Sequence, residues 1–178
     1  MPDYRRVFIP GGTYFFTVNL LERKGRLLTE NIGSLRHAFF WTKRRWPFRI
    51  EALAVLPDHL HFVMTLPEVD TNFPLRLRHI KGQFSRRLAK SEWRSDVRER
   101  RGERGIWQRR FWEHSIRDEI DFNHHINYCY FNPVKHGLVS NIGDWPHSTY
   151  HRDVRCGRYA ADITSDDVLK WRKRFGEA

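Results

Sequence analysis

At 178 residues the chain is long enough to bury a proper core in a single domain, and its 32 lysines and arginines against 21 acidic residues give a net charge of +11 and a pI near 10.2. That balance does not specify a fold, but it favours a polyanionic partner. No apolar run is long enough to span a membrane, the opening MPDYRRVFIPGG lacks a signal-peptide core, and two cysteines, Cys129 and Cys156, are too few for a disulfide framework or a four-thiolate zinc site, so a cytoplasmic protein is expected.

In chain order, TYFFTVNL (13–20) is β-branched and aromatic, follows Gly11-Gly12, and predicts a first strand. A helix is expected over 31–47, starting at Asn31, with Leu35, Phe39 and Phe40 at helical spacing and Pro47 as its stop. FRIEALAVL (48–56) and HLHFVMTL (59–66) predict two strands joined by the Pro57-Asp58 turn. A second helix is expected from Asn72 to about Ser91, with Leu75, Ile80, Phe84 and Leu88 as a rough apolar stripe. The charged, glycine-containing 91–105 reads as a loop over a basic surface, and 106–117 as a fourth strand. Asp118 should cap a third helix that ends near Asn132, because Pro133 disfavours helix in the residue before it. A short helix is expected over 165–175. The first six elements, β-α-β-β-α-β, are the order of an α+β, ferredoxin-like split βαβ: an antiparallel sheet with helices on one face.

The chemistry starts from His59 and His61 inside VLPDHLHFVMTLP (55–67). Two residues apart on a strand, both imidazoles leave the same face, where two neutral rings can hold one divalent ion. A bare His-x-His more often marks partly exposed strand residues hydrogen-bonded to neighbours, so the rest of the chain must raise the metal reading. On the third helix Tyr128 and Asn132 are four apart and share a face. Asn132 can supply a hard amide oxygen as a third ligand for Mg²⁺ or Mn²⁺, and Tyr128 is then a nucleophile beside the metal. An ordinary phenol costs about 4 kcal/mol to ionise at pH 7, and a metal that polarises and aligns a phosphodiester lowers that demand. Each residue alone also reads as structure: a packed aromatic and a helix cap.

Together, DHLHFVM (58–64), WQRRFWEHSIRDEIDFNHHINYCYFNPVKHGLV (107–139) and DWPHSTYHR (144–152) closely resemble the REP-associated tyrosine transposases, and GGTYFFTVNLLER (11–23) resembles that family's opening. The likeness spans roughly residues 4–160. It implies that His59-Leu60-His61 is the HUH motif (histidine, bulky apolar residue, histidine), Tyr128 the nucleophile and Asn132 the polar ligand, at a position where the wider transposase superfamily often has glutamine. It further implies a catalytic domain over 1–140 with a C-terminal extension, 141–178, packed on or beside it. The implied activity is divalent-metal-dependent nicking and strand transfer of single-stranded DNA beside palindromic hairpins. The expected setting is the bacterial cytoplasm and its nucleoid DNA.

Thirteen of the 32 basic residues fall within 76–110, against four acids there. Arg86, Arg87, Lys90, Arg94, Arg98, Arg100, Arg101, Arg104, Arg109 and Arg110 could line a groove for a hairpin stem and its unpaired flank. The rival class is a catalytically silent DNA- or RNA-binding protein of the same fold, but no RNP1-type aromatic strand is present. The palindrome, the cleavage site, the physiological metal, continued transposition in the cell, and the choice between monomer and homodimer stay open.

Overall fold

A computed structural model describes residues 6–161, so the helix expected over 165–175 lies outside the described residues. The order is β1 (Thr13–Asn19), α1 (Leu27–Glu30), α2 (Ile32–Arg45), β2 (Arg49–Val55), β3 (His59–Thr65), α3 (Phe73–Arg86), α4 (Asp96–Arg100), β4 (Trp112–Ser115), α5 (Glu119–Lys135), a 3-10 turn (Ile142–Asp144) and α6 (Tyr150–Arg155). The strands form one antiparallel sheet in the order β2-β3-β1-β4, which puts the histidine strand inside it.

Strand alternation divides the sheet into two faces. Tyr14, Phe16, Val18, Leu60, Phe62 and Met64 point into a core closed by Leu35 and Phe39 of α2 and by Leu77, Ile80 and Phe84 of α3. Phe15, Ala52, Ala54 and Val63 point the other way, against Ile126, Cys129 and Tyr130 of α5. The two helices of the split βαβ therefore share one face, and the third helix covers the opposite one. His59 and His61 are in phase with Val63, so they look toward α5.

Five boundaries differ from the sequence expectation, each for a local reason. α3 stops at Arg86 rather than near Ser91, as the N–H groups of Arg87 and Leu88 tighten onto the Phe84 and Ser85 carbonyls (3.1 and 3.2 Å). Asn31 does not cap α2: its amide Nδ2 donates to the Leu27 carbonyl (2.9 Å), which fastens α1 to α2. Within 91–105 the chain forms α4, with Ser95 at its N-cap and Asp96 and Glu99 in the first turn, where carboxylates suit the helix dipole. The strand expected over 106–117 is broken. Ile106–Gln108 pairs with 19–21, but regular pairing resumes only at Trp112, because the Lys81 ammonium draws the Gln108 carbonyl (2.6 Å) out of the ladder. Finally, α5 runs through Pro133 to Lys135. A proline that late removes one bond of the last turn only, and the His136 N–H closes onto the Asn132 carbonyl (3.0 Å).

Two expected caps form. Asn72 Oδ1 accepts from Leu75 N–H (3.1 Å), and Asp118 Oδ1 accepts from Asp121 N–H (2.8 Å). The segment after α5 is stitched to the outer edge of β2: Val55 N–H donates to the His147 carbonyl, Thr149 N–H to the Leu53 carbonyl (both 2.8 Å), and Trp145 Nε1 to the Val55 carbonyl (3.0 Å). Asp153 of α6 accepts from the Tyr130 hydroxyl and from Arg152 and Arg158.

Candidate active site

The site lies between β3 and α5. His59 and His61 are 4% and 3% exposed, and their ring centroids are 4.8 Å apart at 85°. Each is fixed through its Nδ1. His59 Nδ1 donates to Asp58 Oδ1 (2.6 Å), and His61 Nδ1 bonds Thr17 Oγ1 (2.9 Å) on β1. The Asp58 carboxylate can only accept, so His59 carries its proton on Nδ1 and leaves the lone pair on Nε2; His61 does the same in the tautomer in which the Thr17 hydroxyl accepts. Burial pushes both imidazoles below the usual histidine range, His61 furthest, where His59, His136 and Lys135 add like-charge repulsion. Asp58 opposes the shift at His59. Its own carboxyl, which burial would raise, is held low by hydrogen bonds from His59 and Arg23. Both rings are thus held neutral, the protonation state that a metal ligand requires.

Asn132 is 1% exposed, and neither its amide oxygen nor its amide nitrogen makes a hydrogen bond with a described residue. It nevertheless lies close enough to both imidazoles for hydrogen bonding to their charged forms to lean their affinity for a proton back upward. A buried amide without partners costs about 1–3 kcal/mol. Here that amide faces two imidazoles with free lone pairs, and the donor set of two neutral nitrogens and one amide oxygen fits a divalent ion. Because α5 continues past Pro133, Asn132 stays in register one turn beyond Tyr128.

Tyr128 is half-buried, with its ring 5.1 Å from His61 and 5.5 Å from Phe15. Lys135 Nζ lies 5.3 Å from the centroid of the same ring, a cation over its π face. Tyr130, two residues on, is fully buried, and its hydroxyl is held by Asp153 and Thr149. Sequence reasoning did not place Asp58, Thr17, Phe15, Lys135 or His136 in the site; the His136 ring lies 5.1 Å from His59. The Asp58 carboxylate, adjacent to the motif, was the one of these with a local signal.

A second histidine cluster joins β4 to α5. His114 Nε2 and His125 Nδ1 reach Asp121 Oδ2 and Oδ1 at 2.8 and 3.0 Å, and the three ligand atoms lie within 4.8 Å of one another. Unlike Nε2 of His59 and His61, these nitrogens are already engaged, and Arg117 N–H also donates to Asp121 Oδ2 (3.0 Å). The cluster therefore works as a clamp between strand and helix.

The ten basic candidates divide. Arg86, Arg87, Lys90, Arg100, Arg101, Arg109 and Arg110 are exposed. Arg109 pairs with Glu103 (2.8 Å) and Arg94 with Glu99 (3.4 Å), while Arg98 donates to the Arg104 carbonyl (3.3 Å). Arg104 is committed to structure: its guanidinium holds Glu92 and the carbonyls of Ser85 and Ala89 (both 2.7 Å). Arg109 and Arg110 follow Gln108, whose N–H donates to the Asn19 carbonyl, and Asn19 stands opposite His59. These two arginines thus lie along the sheet edge at the histidine end.

No protein-family model matches the chain. A REP-associated tyrosine transposase of Escherichia coli (strain K12) is 49% identical over 166 residues, covering 93% of each chain. A second relative, from Haemophilus influenzae (strain Rd), is 46% identical over 172 residues, covering 96% of this chain and 97% of the relative. The solved structure of a REP-associated tyrosine transposase bound to a REP hairpin superposes with a TM-score of 0.80 at 48% identity, covering 94% of this chain and 93% of that one. At that identity over nearly the full length, the chain belongs to the REP-associated tyrosine transposases.

Proposed function

We propose that the protein nicks and transfers single-stranded DNA beside palindromic, REP-like hairpins through a covalent link to Tyr128, acting in the cytoplasm on nucleoid DNA. The observation that carries this reading is the convergence of half-buried Tyr128 with the buried imidazoles of His59 and His61 and the buried amide of Asn132 on the face between β3 and α5. His59, His61 and Asn132 would hold Mg²⁺ or Mn²⁺, which supplies Lewis-acid polarisation of the phosphodiester. Asp58 and Thr17 orient the two rings. Tyr128 attacks phosphorus, one ester oxygen leaves as a free hydroxyl, and the phosphotyrosine conserves the bond for later rejoining. The hairpin partner is supported by the REP hairpin bound to the related transposase and by the charge of +11. Residues 141–161 belong with the catalytic domain as one unit, since they complete the edge of β2.

The test is a nicking assay on hairpin oligonucleotides with unpaired flanks, with Mg²⁺ or Mn²⁺, read on denaturing protein gels. Wild type should give a covalent protein–DNA band that needs metal and vanishes in Tyr128→Phe and His59→Ala. Tight hairpin binding without such a band, across several hairpins, would leave a DNA-binding protein only. A band surviving Tyr128→Phe would move the nucleophile elsewhere.

A further inference from the structure

Trp112 opens β4, the four-residue edge strand. It stands opposite Thr17 on β1, and Thr17 stands opposite His61 on β3. The three form one cross-strand row, so Trp112 and His61 share a face two strand spacings apart, about 10 Å. The indole is 50% exposed although it lies on the face that α5 covers elsewhere.

Its orientation is fixed from beneath. The ring lies parallel to His114 (6.0 Å, 8°), His114 stacks on His125 (4.6 Å, 18°), and both imidazoles are clamped by Asp121. Phe15 meets the indole edge-on at 5.6 Å, and the same phenyl ring lies 5.5 Å from Tyr128 and 5.6 Å from His61. One aromatic therefore sets the spacing between an open, immobilised indole and the reacting pair. Exposed Arg110 and Arg117 flank the row in sequence.

We infer that Trp112 is the stacking seat for an unpaired base next to the phosphate that Tyr128 attacks. This deepens the DNA reading above and rests on it. A sugar and base hanging from a phosphate at His61 span the two strand spacings, and the sheet edge lets a single strand enter sideways. An indole face suits any base, because every base has a π surface. Trp112 accordingly fixes where along the strand the cut falls, while base identity is read elsewhere.

The test uses the full chain and hairpin oligonucleotides carrying 2-aminopurine at successive unpaired flank positions, with a blunt hairpin as control. Wild type should quench one flank position on binding. Trp112→Ala should restore that emission and weaken binding of the flanked hairpin by about 10-fold, with the blunt hairpin unaffected. Trp112→Phe, which keeps an aromatic face, and Trp93→Ala, which removes an indole that is 81% exposed and outside this row, should both stay quenched. An unchanged quench profile in Trp112→Ala would overturn the inference while leaving the nicking reading intact. So would equal loss on the blunt hairpin, or a change in oligomeric state with the profile unchanged. If wild type binds none of the hairpins, the inference and the DNA reading fall together.

Discussion

Tyr128 and Tyr130 are two positions apart on α5, about 200° around the helix. That rotation sends one ring toward His61 and the other into the core, against Asp153 and Thr149. Burial, reinforced by the Asp153 carboxylate, pushes the Tyr130 hydroxyl far above the ordinary phenol range, so it stays protonated and donates. Tyr128→Phe should therefore abolish the covalent adduct with no change in melting temperature. Tyr130→Phe should keep the adduct and lose on the order of 1 kcal/mol in denaturant unfolding. The reverse pattern would mean the two roles are exchanged. A second outcome concerns acid. His59 and His61 are held neutral by burial when folded, yet protonate near pH 6.5 when unfolded. Below that value the unfolded state binds more protons, so stability is full above about pH 6.5 and falls as pH drops, until the folded rings protonate too. The melting temperature of the metal-free protein should decline across that window, less steeply in His61→Ala. An equal decline in the variant would place the buried protonation cost on other histidines.

At the scale of elements, α5 matters most, because it carries Tyr128, Asn132 and two of the three members of the clamp, Asp121 and His125. Its start was legible in the sequence: Asp118 precedes the periodic run and caps it. Asp118→Ala should cost about 1 kcal/mol in denaturant unfolding, and a loss of nicking beyond that would show that the cap also aims Tyr128. The end of α5 was not legible, since the cost of a proline depends on how many turns follow it, and here almost none do. The grouping of the four candidates, His59, His61, Tyr128 and Asn132, was legible because their spacing is local, two apart on a strand and four apart on a helix. Thr17 and Phe15 were not. Thr17 meets His61 through the β1–β3 register across 44 residues, which only the assembled sheet supplies. The break in the fourth strand was hidden for the same reason, because Lys81, on a distant helix, takes the carbonyl that would have continued the ladder.

For the whole molecule, the sheet's two margins are unequal. Among the described residues no strand pairs with the outer edge of β4, whereas β2 is finished by residues 147–149, which accept and donate along its outer backbone and bridge Ala54 to Ser148. The segment after α5 is thus a built-in guard against uncontrolled self-association. Without it, the main-chain donors and acceptors of RIEALAV (49–55), an apolar stretch of strand, would lie ready to template another copy. A chain ending after Leu138 should consequently form thioflavin-positive aggregates at concentrations where the full chain stays monodisperse by light scattering. A clear, monodisperse truncated chain would mean that the guard lies elsewhere. On that reading the short stretch around 147–149 does for the molecule's survival in a crowded cell what no catalytic group could, by keeping a hungry backbone edge out of reach of its neighbours.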